Sequence, residues 1–124
     1  MNEILLYIGS IVIILWGIAH IIPTKAIVNG FGPMSEDTKR IITMESIAEG
    51  LTLCFIGVLV LLVTILAGSQ GQAAFIVYLA CAIMLLIMAI LTTMTGARTS
   101  ILWYKICPAV KAILAVLFIL GSVL

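Results

Sequence analysis

The sequence predicts an all-α, polytopic membrane protein: a four-transmembrane-helix bundle in one domain, 1–124, with N- and C-termini on the non-cytoplasmic side. Three observations carry this reading. Hydrophobic residues make up 65% of the chain and charged residues only 9%, with a mean hydropathy of +1.40. A soluble domain carries about 25% charged residues and could not cover a core with so few. The apolar residues also fall in four long runs, each near the ~20 residues that cross a ~30 Å hydrocarbon core. Finally, the basic residues collect at one side of those runs, which orients them.

The first helix covers about 4–22 and ends before Pro23, which does not fit a helix interior. It carries Glu3 where a signal peptide would carry Lys or Arg, and no small-x-small cleavage pattern follows, so it reads as a retained membrane helix. Pro23 to Arg40 is the only long polar stretch, and its Asn29-Gly30-Phe31-Gly32-Pro33 core has turn chemistry. Ser35 or Asp37 can cap the second helix, about 41–66, with Glu36 and Asp37 suited to a helix N-terminus. An uncharged turn, Ala67 to Gln72, leads to the third helix, about 73–95. Gly96 to Ser100 turns the chain again, into the fourth helix, about 101–123. There Pro108 is expected to mark the first turn of the membrane helix proper, leaving Ile101–Cys107 as an interfacial segment.

Lys25, Lys39 and Arg40 lie in the first loop, and Arg98 and Lys105 flank the third. The second loop and both termini hold no Lys or Arg. Short loops rich in Lys and Arg stay cytoplasmic, so both ends of the chain are expected to face outward from a multi-pass cell (inner or plasma) membrane. The lipid bilayer is the implied partner. A net charge of +1 without a basic stripe speaks against nucleic acid. Cys54, Cys81 and Cys107 are widely spaced, with no Cys-x-x-Cys pair for redox exchange, and read as small hydrophobes.

Ionisable residues inside membrane helices are costly and point to function. The candidates for a ligand or proton site are His20, Glu45, Glu49 and Lys111, with Arg98 at a helix end. Glu45 and Glu49 share one face of the second helix, roughly 6 Å apart along its axis. Glu49 is two turns into the apolar run, so it must be protonated, paired with a cation, or lining a polar cavity. Lys111 is the natural partner by depth, and Arg98 the alternative. His20 could hold a proton, act as an acid or base, or anchor a carboxylate by one hydrogen bond. One His with two Glu is a loose metal signature, and no metal or cofactor is assigned. A structural Glu49–Lys111 ion pair and a snorkelling Lys111 are the simplest alternatives. An aromatic belt accounts for Trp16, Trp103 and Tyr104, with a pocket wall as the alternative. Ser46, Gly50 and Gly57 would let another helix approach the second closely.

The set Trp16-Gly17-x-Ala19-His20, Gly30-Phe31-Gly32, Glu45-x-x-x-Glu49-Gly50 and Ile56-Gly57 resembles small four-helix membrane proteins of unassigned role, and the broad shape is similar to DoxX-like membrane proteins. Some DoxX-like proteins are associated with quinone or sulfur redox chemistry, but no motif here carries a site over. Small multidrug transporters place their key Glu in the first helix, whose interior here has none.

Three functions follow as expectations. The first is a small membrane protein binding a polar ligand, lipid headgroup or proton at the cytoplasmic-side cluster. The second is a membrane enzyme using His and Glu as acid–base groups on a lipid- or quinone-like substrate, which needs a cavity open to the bilayer. The third is a transporter, for which four helices would need a homodimer. A role as accessory subunit of a membrane complex is the other assembly left open.

Overall fold

The structure, a computed structural model, describes residues 3–30, 32–68, 71–95 and 102–123, with the side chains of 102–104 excepted. Among the described residues five helices follow one another: α1 (Glu3–Ile21), α2 (Thr24–Gly30), α3 (Glu36–Leu62), α4 (Gln72–Met94) and α5 (Leu102–Val123). A π-helical turn, Val63–Ala67, extends α3. Four of these helices are long and apolar enough to cross a membrane, and no strand occurs among the described residues. Large hydrophobic side chains such as Ile4, Leu15, Phe55, Ile76 and Leu91 stand exposed around the bundle. Lipid tails solvate such a surface where water would not.

Two local expectations are corrected. The polar stretch after Pro23 is not all loop: Thr24–Gly30 forms the short α2. Pro23 lacks only an N–H that a first turn leaves unpaired anyway, and its carbonyl accepts from Ile27 at 3.0 Å. Thr24 and Val28, four apart, bury one face of α2, and the Thr24 hydroxyl donates to the His20 carbonyl at 2.6 Å. Nor does Pro108 begin a helix. It sits inside α5, which runs continuously from Leu102. Proline removes one backbone donor but does not stop a helix whose neighbours hold it. That continuity sets Cys107 and Lys111 one turn apart on one buried face.

The second membrane helix begins at Glu36, well before the apolar run, because Ser35 caps it: its hydroxyl accepts from the Thr38 amide at 3.1 Å. Ser35→Ala is expected to lose about 1 kcal/mol of stability through this cap, measured by detergent-denaturant unfolding.

Small residues set the tightest packing. α1 and α3 run antiparallel, with Gly17 against Gly50 and Ser10 against Gly57, each pair seven residues along from the other. A Cβ on Gly17 would lie 2.7 Å from the Gly50 carbonyl oxygen, and one on Gly50 equally close to the Gly17 carbonyl. These backbones meet directly, as small residues allow in lipid. α1 also packs on α5, and α5 on α4. Leu6, Ile13, Leu53, Leu85 and Phe118 fill the centre.

The helices α3 and α4 behave differently. They are joined through the π turn, where the Thr64 hydroxyl bonds the Val60 carbonyl and the Tyr78 hydroxyl, each at 2.7 Å. Away from that junction they touch little. The bundle is thus closed at one end and parted between α3 and α4 at the other. That parted end, which also carries α2, is called the polar end below.

Candidate functional site at the polar end of the bundle

Three helices bring polar side chains together here: His20 from the last turn of α1, Glu49 from α3, and Cys107 and Lys111 from α5. Lys111 has no exposed surface, and its ammonium contacts Glu49 Oε1. It also donates to Thr92 Oγ1 of α4 at 2.8 Å. Glu49 keeps 29% of its side chain exposed and turns its second oxygen, Oε2, toward His20 Nε2 at 3.9 Å. The ion pair is therefore asymmetric: the cation is sealed in, whereas the carboxylate reaches the edge of the bundle.

His20 is held in one orientation. Its Nδ1 lies 2.9 Å from the Trp16 carbonyl oxygen. A carbonyl can only accept, so Nδ1 carries the proton. In the neutral ring this leaves the Nε2 lone pair facing Cys107 Sγ at 3.5 Å and Glu49. Trp16, whose ring meets His20 edge-on at 5.7 Å, donates its Nε1 proton to the same sulfur at 3.3 Å. Trp16 thus forms a wall of the cluster, beyond the belt role its sequence position implied.

Glu45 stands apart from this cluster. It is exposed and makes no ion pair among the described residues, but it lines the gap between α3 and α4 with Glu49. That gap is a side-open groove of about 670 Å³. Ile42, Met88 and Leu91 form apolar parts of its walls, while Glu45, Glu49, Thr52, Thr92 and Thr95 supply polar atoms. The threonines have already spent their protons. Thr52 donates to the Ala48 carbonyl at 2.8 Å, Thr92 to Met88 at 2.8 Å and Thr95 to Leu91 at 2.7 Å. Thr52 and Thr95 therefore present lone pairs, Thr92 already accepts from Lys111, and Ser46 adds a hydroxyl, so the acceptors that dominate the lining are the carboxylates of Glu45 and Glu49. Lys111 lies behind Glu49 and is not part of the lining.

A second hollow, about 500 Å³ beside α2, is lined by Lys25, Lys39 and Arg40 with Glu36. It holds the basic residues of the first connection. Arg98, the alternative partner for Glu49, lies outside the described residues.

Two members of the cluster escaped the sequence reading. Cys107 was grouped with Cys54 and Cys81 as a small hydrophobe. Cys81 is simply buried, and Cys54 donates to the Ile14 carbonyl at 3.6 Å, at the α1–α3 contact. Cys107 instead meets an imidazole and an indole N–H. Its four-residue spacing from Lys111 was the available signal. Thr92 was signalled only by the run of threonines closing an otherwise apolar α4.

No family model, no curated protein and no solved structure matches the chain.

Proposed function

We infer that this small integral membrane protein binds the headgroup of a bilayer amphiphile in the groove between α3 and α4, and that the headgroup carries a hydrogen-bond-donating cation, a primary ammonium. The observation that supports this is the pair of carboxylates in the groove lining, Glu45 and the exposed edge of Glu49. An ammonium brings three donors and a charge to Glu45 and the exposed edge of Glu49. An anionic group would meet the exposed Glu45 carboxylate, which no cation among the described residues offsets, and be disfavoured. The apolar walls at Ile42, Met88 and Leu91 accept the start of an acyl chain, and the open side lets the tail stay in the bilayer. The Glu49–Lys111 pair serves as the floor: Lys111 holds the carboxylate in place from behind without entering the groove.

The same reading places the protein in a cell membrane with both termini on the outer side. It is supported by Lys25, Lys39 and Arg40 gathering at the polar end. The groove would then receive lipid from the cytoplasmic leaflet.

The test is competition between phosphatidylethanolamine and phosphatidylglycerol of equal chain length, read by native mass spectrometry of the purified chain released from mixed micelles. Preferential retention of phosphatidylethanolamine is expected. Glu45→Gln should reduce that preference about two- to fivefold, the worth of one partly exposed ion pair of ~0.5–1 kcal/mol. Equal retention of both lipids, or a preference for phosphatidylglycerol, would exclude the reading.

A further inference from the structure

The groove accounts for Glu45, the threonines and the exposed edge of Glu49. It leaves unexplained why a thiol, an imidazole lone pair and a carboxylate oxygen converge behind it. We propose that His20 Nε2, Cys107 Sγ and Glu49 Oε2 form a three-ligand site for a borderline-soft divalent cation of the zinc type. The proposal does not rest on the headgroup reading.

The first argument is distance. A tetrahedral metal with metal–sulfur bonds near 2.3 Å and metal–nitrogen bonds near 2.0–2.1 Å places its sulfur and nitrogen ligands about 3.6 Å apart. Cys107 Sγ and His20 Nε2 are 3.5 Å apart. The same geometry with a metal–oxygen bond of 2.0–2.2 Å separates nitrogen and oxygen by about 3.4 Å. His20 Nε2 and Glu49 Oε2 are 3.9 Å apart, about 0.5 Å longer than that spacing. One ligand atom from each of the three residues lies within 4.8 Å of the others.

The second argument is the shell behind the ligands. A ligating histidine donates its other ring proton to a carbonyl or carboxylate, which fixes the tautomer. His20 does this to the Trp16 carbonyl at 2.9 Å. A ligating thiolate gains from an N–H donor, and Trp16 Nε1 supplies one at 3.3 Å. A ligating carboxylate is itself hydrogen-bonded, here by Lys111 at Oε1, which leaves Oε2 as the available oxygen. One thiolate and one carboxylate offset the charge of a divalent ion, and the Lys111 ammonium leaves the site one positive charge in excess. One sulfur, one nitrogen and one oxygen suit zinc-like ions over magnesium or calcium, which take oxygen alone. Glu49, exposed at the groove edge, gives the ion its way in. Three protein ligands leave a fourth position for water or another small donor, the arrangement of reactive rather than structural sites.

Cobalt(II) added to the purified, reduced protein is the probe. One equivalent should bind and produce a thiolate-to-cobalt charge-transfer band that zinc displaces. Cys107→Ser should abolish the band, whereas Cys54→Ser and Cys81→Ser keep it. Trp16→Phe, which removes the N–H on sulfur, should weaken zinc binding about 10–100-fold. Should Cys107→Ser disturb folding, zinc-edge X-ray absorption of the unaltered protein decides instead: it should show one sulfur near 2.3 Å beside nitrogen and oxygen ligands. No band, a band that survives Cys107→Ser in a folded protein, or zinc surrounded by light atoms alone would overturn the site.

Discussion

Glu49→Gln should destabilise the bundle by about 3–5 kcal/mol, the cost of leaving a buried charge without its partner, as read from unfolding by denaturing detergent. Lys111 is sealed from the surface, and after the substitution its ammonium keeps only the Thr92 hydroxyl and an amide oxygen. Lys111→Met should cost less, about 1–3 kcal/mol, because the stranded carboxylate reaches the groove edge, where water or a headgroup can solvate it. The double substitution Glu49→Gln/Lys111→Met removes both charges and should recover most of the loss, since an apolar replacement for a buried pair is often neutral. The cycle is informative through this inequality. Equal single-mutant losses would mean that Glu49 is as enclosed as Lys111, and the groove would lose its floor.

The second large effect is expected at Gly50. Gly50→Ala puts a methyl group 2.7 Å from the Gly17 carbonyl oxygen, and backbone cannot swing aside as a flexible side chain can. The helices must separate, at a cost of about 1–3 kcal/mol for overpacking. The shift is also functional. Glu49 is the preceding residue, so moving α3 off α1 draws its carboxylate away from His20 on α1. Gly30→Ala is the control: no atom lies within 4 Å of the added Cβ, and its stability should stay within ~0.5 kcal/mol of the parent. If Gly50→Ala and Gly30→Ala unfold alike, the direct backbone contact between α1 and α3 is wrong.

These two sites show what a sequence of this kind discloses. The four membrane helices were legible because each apolar run is long and bounded by Pro, Gly or charge, and in lipid that pattern leaves little structural choice. Depth pointed to Lys111 as the natural partner of Glu49 and left Arg98 as the alternative, since an ionised group two turns into an apolar helix needs a partner there. Gly50 and Gly57 announced a close helix contact, although not that α1 would make it.

What stayed hidden depends on rotation and splay. Cys107 joins the cluster because α5 continues through Pro108, which fixes the direction of its side chain relative to Lys111. A helix that restarts at Pro108 gives that direction no meaning. The groove arises because α3 and α4 meet at the Thr64–Tyr78 junction and part below it. That divergence is a property of packing among four helices and leaves no local mark in either one. Glu45 and Glu49 looked equivalent on one helix face. The structure gives Glu49 the floor and Glu45 the exposed wall of the groove.

The central claim is that the opening between α3 and α4 holds an amphiphile by its headgroup. It is tested most directly with a phosphatidylethanolamine analogue carrying a photoreactive group on the first carbons of one acyl chain. After irradiation in vesicles, the labelled peptides are mapped by mass spectrometry. The expected labels fall on Ile42, Met88 and Leu91, the apolar walls beside the carboxylates, and unlabelled phosphatidylethanolamine competes them away. Labels spread over the lipid-facing exterior, at Phe55 and Ile76 as often as at the half-buried Ile42 and Met88, would contradict it.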